Sequence, residues 1–237
     1  HGDGEYRGWN MIGNPFEGPI DWGTVTFIAD GQRYDLREAM SEEVGITEGV
    51  LFSFVSTPTG GHYDFAPDPT EAVMEFMGGY WLHVLRDATL VVYNPAVSLA
   101  GGASRAQAAA PRQLPSKDEW TLRICAQSGD YQDPANFVGV HPQATEGYDL
   151  GLDVSKPPAL LRELSMAMVQ NGGAGNSGRL ARDLRSSLGD RQEWDIEVST
   201  TLAQAPVTIT WADLNQVVPP NVQLVLRDVE AGRDVYM

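Results

Sequence analysis

The sequence predicts an all-β protein of two β-sandwich modules, immunoglobulin-like or jelly-roll-like, decorated with one or two short helices. Three observations predict it. Most apolar residues fall in short alternating runs, which suit strands with one covered face. Those runs are cut by 25 glycines, 15 prolines and many Asn and Asp residues, the punctuation of antiparallel sheets. Between 98 and 115 the periodicity is lost altogether, and the residues become Ala, Gly, Ser, Pro and Gln, as in a linker or exposed loop. The expected division is a first module over 1–100, a linker over 101–115 and a second module over 116–237.

The strand-like runs are, in order, 24–28, 50–55, 80–85, 89–93, 120–126, 194–199, 207–211 and 222–227. Leu36 to Glu43 reads as a short helix. Asp68 to Met77 reads as another, with Asp68 as N-cap and Pro69 in the first position. The segment from Asp228 to Met237 reads as the return of a hairpin turning near Ala231-Gly232. The Gly- and Asn-rich stretch 171–178 reads as a surface loop inside the second module. No repeat of roughly 20–50 residues is present, which argues against a solenoid or propeller.

Apolar residues make up 42% of the 237 and charged residues 20%, a globular composition that can bury a core. A net charge of −16 repels phosphate backbones and anionic lipids, so nucleic-acid binding and membrane-surface binding are not expected. No run approaches the roughly 20 apolar residues needed to cross a bilayer. No basic-then-apolar leader stands at the start, and the chain reads as beginning after a removed leader or inside a longer protein. The single cysteine, Cys125, lies in the run Trp120 to Ala126 and reads as a core thiol, with no disulfide framework.

Two segments carry a resemblance. Gly8-Trp-Asn-Met-Ile-Gly-Asn-Pro-Phe-Glu-Gly-Pro-Ile-Asp-Trp22 is followed by Gly78-Gly-Tyr-Trp-Leu82. Together they resemble a module near the C-termini of large secreted bacterial surface proteins. In such proteins the module precedes a type IX secretion sorting domain or a hook-capping-type immunoglobulin-like domain. Trp120 to Ile124, Asp133 to Val140, Gly147 to Asp149 and Leu224 to Arg233 look similar to the segment that follows there. The resemblance implies accessory β-sandwich modules with no catalytic residues and no agreed ligand. In those proteins the final hairpin continues into further strand sequence, so this chain is expected to be a fragment or trimmed form whose last edge strand stays open to a neighbour. Independently of the resemblance, Asn14-Pro15 and Gly18-Pro19 force turns, and Trp9, Phe16, Ile20 and Trp22 supply core surface.

The chemistry-bearing residues are sparse. No Gly-x-Ser-x-Gly elbow, His-Glu-x-x-His helix or phosphate loop occurs, and the chain is read as a non-enzyme. His1, His62, His83 and His141 lie too far apart for a local metal motif. An N-terminal His1 could brace copper with its amine and ring, which makes an oxidative copper enzyme the third reading. No cofactor is expected from these residues: Asp130, Asp133, Asn136 and Asp149 read first as caps of Asx-type turns, with calcium held by the same four as the alternative. Trp81, Trp120, Trp194 and Trp211 are assigned to the core. Tyr63, Tyr131 and Tyr148 lie in turn-rich segments and are candidates for stacking on a ligand.

The leading expectation is an extracellular or cell-surface structural or adhesive module. It would join copies of itself or neighbouring surface proteins in a surface layer or filament. The alternative is a carbohydrate-binding module with polysaccharide as partner.

Overall fold

The computed structural model describes residues 7–58, 60–93, 116–158, 164–170, 178–189, 191–202 and 205–237. The protein is all-β, with two helices of four residues each among the described residues. The first half holds β1 (Trp9–Gly13), β2 (Ile20–Asp21), β3 (Thr26–Ala29), β4 (Gln32–Asp35), α1 (Leu36–Ala39), β5 (Thr47–Thr57), β6 (Gly60–Phe65), β7 (Val73–Met74), β8 (Gly79–Val84) and β9 (Thr89–Val91). The second holds β10 (Trp120–Ser128), β11 (Tyr131–His141), β12 (Val154–Ser155), β13 (Leu164–Val169), β14 (Arg179–Ser186), β15 (Asp195–Thr200), β16 (Thr208–Trp211), α2 (Leu214–Val217), β17 (Val225–Asp228) and β18 (Arg233–Tyr236).

Every hydrogen-bonded sheet stays within one half. The first half forms a four-stranded sheet in the order β1-β8-β5-β6, a three-stranded sheet β4-β3-β9 and the pair β2-β7. The second forms a seven-stranded sheet, β15-β13-β14-β11-β10-β16 with β12 against β14, and the separate ribbon β17-β18. The alternating runs suggested antiparallel pairing throughout, yet β11 and β14 run parallel. Between these two strands the chain forms β12 and β13, both of which pair with β14 in the same sheet, so the parallel pair is joined by a long connection rather than a hairpin.

Local chemistry accounts for the turns and caps. Asp30 and Gly31 both take positive φ, +52° and +77°, forming the two-residue turn that joins Ala29 to Gln32 between β3 and β4. Asp35 caps α1 in a reciprocal box with Glu38. The helix stops at Ala39 rather than Glu43, because Ser41 Oγ donates to the Glu38 carbonyl at 2.7 Å and accepts from Val44 N at 3.3 Å, competing with the helical ladder. The expected helix over Asp68 to Met77 is a single 3-10 turn, Pro69–Glu71, capped by Asp68. Beyond it Val73 and Met74 pair with Asp21 and Ile20 instead. The last hairpin turns where expected, with Gly232 at φ +63°.

Three cores form. The first gathers Ile20, Trp22, Phe27, Leu36, Ile46 and Leu82 within the first half. The second gathers Trp120, Leu122, Ile124, Met166, Met168 and Leu180 within the second. The third spans both, bringing Val50, Phe52, Tyr63 and Phe65 against Ala135, Phe137, Val154 and Ala181. Register explains the third. Pairing of Trp81 with Phe52, of Phe52 with Phe65 and of Phe54 with Tyr63 lines these rings along one face of the four-stranded sheet. The opposite face carries Leu51, Tyr80 and Leu82 into the first core. The four-stranded sheet is thus covered on both sides, and Phe65 meets Phe137 edge-on at 5.3 Å.

The interval assigned to a linker, 101–115, and His1 lie outside the described residues, as does all of the 171–178 loop except Gly178. Cys125 is half-buried rather than central, because alternation along β10 sends Leu122, Ile124 and Ala126 inward and Cys125 to the other side. Trp22 and Trp120 are buried as expected, whereas Trp81, Trp194 and Trp211 are partly exposed at the borders of their cores. No helix among the described residues is long and apolar enough to cross a membrane.

Candidate functional site

The polar side chains gather at the seam where the two halves meet. Their placement begins with a bulge in β5. Between Thr47 and Leu51 the register against β8 shifts, with Gly49 at φ +73°. The distortion is pinned on both sides: Thr47 Oγ1 donates to the His83 carbonyl at 2.7 Å and Trp22 Nε1 donates to the Gly49 carbonyl at 2.7 Å. Bulges re-aim side chains, and this one turns Glu48 into the seam, only 2% exposed.

Glu48 is met there from both halves. Its Oε1 accepts from Tyr148 OH at 2.7 Å and Ser155 Oγ at 2.5 Å, and its Oε2 accepts from Ser155 N at 3.0 Å. His83 Nδ1 lies 3.0 Å from Oε1, with its ring stacked on Trp9. Burial pushes the Glu48 carboxyl up, but His83, Ser155 and Tyr148 more than offset it and hold the group below its ordinary value. The same burial, joined by the Glu48 charge, pushes the Tyr148 phenol far above its usual range.

A second bulge, in β11, sets the next cluster. Ala126 pairs with Asp133 while Ile124 pairs with Asn136, so one extra residue fits in at Pro134-Ala135, where a proline disturbs no ladder. The insertion brings Asp133 and Asn136 to the same inner side. Lys156 Nζ donates to Asp133 Oδ1 at 2.8 Å and to Asn136 Oδ1 at 2.7 Å, while Asp133 Oδ2 accepts from Met166 N at 2.8 Å. Burial lowers the Lys156 pKa, against the charge and hydrogen bond of Asp133.

A third cluster closes the seam beside β14. Asp153, 1% exposed, accepts from Leu184 N and Asp149 N, each at 2.8 Å. Burial and the Asp183 and Asp149 carboxylates push it up to about 7, against those two backbone hydrogen bonds. Arg182 reaches across to the Pro67 carbonyl at 2.8 Å, and Arg185 grips the buried Asp183.

Beside Lys156 the seam opens into a cleft of about 30 Å³. Its walls are Phe54, Tyr63 and Leu164, and its polar floor holds Asp133, Lys156 and Ser165.

The expected site residues therefore divide. Tyr63 and Asp133 come together at the cleft. Tyr63 is no exposed platform, since it is 8% exposed and donates its hydroxyl to the Pro158 carbonyl. Tyr148 serves Glu48, and Tyr131 packs at the border of the second core, so the three tyrosines form no stacking row.

The calcium set does not assemble. Asp133 and Asn136 hold an ammonium, and Asp149 caps the turn at Thr145 through that residue's N at 2.6 Å. Asp130 sits exposed at the β10–β11 turn. Among the described residues no group of three or more His, Cys, Asp or Glu is placed to hold a metal ion.

Sequence reasoning missed Glu48, His83, Ser155 and Lys156. Their one visible signal is charge or polarity inside an otherwise apolar run, as with Glu48 before Gly-Val-Leu-Phe. Ser, His and Glu do converge here, but Ser155 Oγ donates to the carboxylate and His83 faces that same carboxylate. The cluster ties the halves together, with the imidazole set against the carboxylate and not against the serine. No family model, curated protein or solved structure matches the chain.

Proposed function

We propose that this chain is a non-catalytic structural or adhesive module of the cell surface or extracellular space, which joins a second copy of itself by strand addition. The extracellular setting rests on the motif resemblance around Trp9 to Trp22 and Gly78 to Leu82. The observation that carries assembly is the ribbon β17-β18, which pairs with no other strand among the described residues. A lone two-stranded ribbon is marginal in water. This one also exposes apolar surface, at Val225, Val229, Val235 and Tyr236. Unpaired edges of this kind template the addition of another strand.

Charge favours a second copy as the occupant. Segment 225–236 holds two arginines against three acids, a net charge of only −1, so two copies of the ribbon meet with little mutual repulsion. Within the ribbon Arg227 already pairs with Asp234. A two-fold axis between Arg233 and Asp234 would set each arginine opposite the partner subunit's aspartate along an antiparallel β18 edge, a self-complementary contact of the kind two-fold dimers use.

Light scattering after size exclusion, over a wide concentration range with negative-stain microscopy, tests the reading. Mass that grows with concentration and is lost in Val235→Lys supports it. A monomer at every concentration, or assembly indifferent to that substitution, removes it.

A further inference from the structure

We propose that the seam cleft binds a saccharide through one vicinal pair of ring hydroxyls, with the sugar ring lying against Phe54. Three features of the cleft point to that ligand and none depends on assembly through the ribbon.

The first is size. A water-sized group needs roughly 10–15 Å³ of such space, so about 30 Å³ admits two hydroxyls and little more. The second is the hydrogen-bonding complement left over. An ammonium has three N–H groups, and among the described residues Lys156 uses two, on Asp133 and Asn136. A carboxylate has about four acceptor sites. Asp133 uses three, for Lys156, Asn136 and Met166 N. Ser165 Oγ accepts from Arg179 Nη2 at 3.2 Å, leaving its own O–H to donate. Two donors and one acceptor remain, which matches a diol whose hydroxyls both donate and accept. Because Lys156 and Asp133 neutralise each other, the floor suits a neutral ligand better than an ion.

The third is the wall. Phe54 stands edge-on to Tyr63 with ring centroids 5.6 Å apart. The ring can lie across β6 only because residue 61 is glycine: a Cβ there would fall 2.4 Å from Phe54 Cζ. Beyond Phe54 nothing lies within 4 Å of a Cβ built on Gly79, so the sheet face next to the ring is open. An aromatic edge beside a small polar pocket takes the apolar face of a sugar while the pocket takes its hydroxyls. His62 and Gln132, 3.4 Å apart at the rim, complete the polar border.

Saturation-transfer NMR and calorimetry with methyl α-D-mannopyranoside, methyl α-D-glucopyranoside and methyl β-D-galactopyranoside, and with their monodeoxy analogues, test the proposal. At least one sugar is expected to bind in the millimolar range, and deletion of either hydroxyl of one adjacent pair is expected to weaken it about tenfold, the worth of one hydrogen bond. Ser165→Ala should weaken binding by a similar factor with an unchanged melting temperature, and Gly61→Ala should weaken it by displacing Phe54. If none of the three sugars binds the wild-type chain, or if both variants bind as the wild type does, the proposal is wrong. Both variants leave the ribbon untouched, so failure here says nothing about assembly.

Discussion

Asp153 makes the stability of the protein fall with rising pH, and its removal should flatten that dependence. The folded carboxyl titrates at about 7, against an ordinary value of 3.8. The folded state therefore binds a proton that the unfolded state has released between those values. Stability contributed by this group is whole below about pH 4, declines through the interval, and is lost above pH 7. The displacement of about 3 pH units corresponds to about 4 kcal/mol at roughly 1.4 kcal/mol per unit. Full burial of the group means that solvent screening takes little from it. In Asp153→Asn the side chain stays neutral at every pH. Its single carbonyl can serve Leu184 N or Asp149 N but not both, so the variant loses about 1–3 kcal/mol for one unsatisfied buried donor. At pH 4.5 the variant should be the less stable protein by that amount. By pH 8 the wild type carries its full penalty, and the gap should close or reverse. Urea denaturation of both proteins at half-unit steps from pH 4.5 to 8 measures the difference directly. A difference that stays constant across that range would refute the reasoning.

The other clusters yield expectations of their own. Glu48→Gln keeps the shape but has one acceptor oxygen for donors that now meet two, and should cost about 1–3 kcal/mol for the buried donor left unpaired; hydrogen exchange should show amides of β5 and β12 losing protection together. Lys156→Met leaves the buried Asp133 carboxylate without its ammonium and should cost about 3–5 kcal/mol as a broken buried ion pair, read from the urea midpoint. Because Lys156 already occupies those oxygens, millimolar calcium or EDTA should leave the melting temperature of the wild type unchanged. Gly139→Ala places a Cβ 2.1 Å from the Trp120 carbonyl oxygen, in backbone that cannot move aside, and should cost about 3 kcal/mol or more or prevent folding.

The strands that alternate cleanly were the ones legible in the sequence. Trp120 to Ala126 lies within β10, Tyr80 to Leu85 overlaps β8, and Val50 to Val55 falls inside the longer β5. Each has one face in a core and a second that is more polar or meets a different layer, so period two survives in the residue types. β13 and β14 were invisible for the opposite reason. Leu164 to Val169 is apolar almost throughout because both its faces are covered. Arg179 to Ser186 is polar although largely buried. Arg182 and Asp183 look like solvent residues until their partners are known, and those partners, Pro67, Leu152 and Arg185, include one from the other half. The site was harder still. Glu48 and Ser155 are 107 positions apart, and nothing local to either residue announces the other. What the sequence did offer was the pair Tyr63 and Asp133, chosen for different reasons and found at one cleft.

The seam divides its labour between two kinds of force. The third core supplies attraction, but contact among Phe52, Phe65, Phe137 and Ala135 is tolerant of sliding, since apolar burial has no direction. The buried acids have direction. Glu48 accepts from the backbone N and the side chain of the same serine, so a shift of β12 by one residue would turn Ser155 away and bury the carboxylate unpaired. Asp133 fixes β13 in the same manner through Met166 N, and Asp153 fixes β14 through Leu184 N. Each acid thus reads the position of a different strand of the second half; of the three only Glu48 reaches across from the first, so a misaligned docking would strand its carboxylate, while Asp133 and Asp153 hold the second half's own surface in shape. That penalty is what keeps Phe54, on the four-stranded sheet, in register across the cleft with Lys156 and Ser165, which are both hydrogen-bonded into the seven-stranded sheet. Any recognition performed there rests on the alignment that the acids impose.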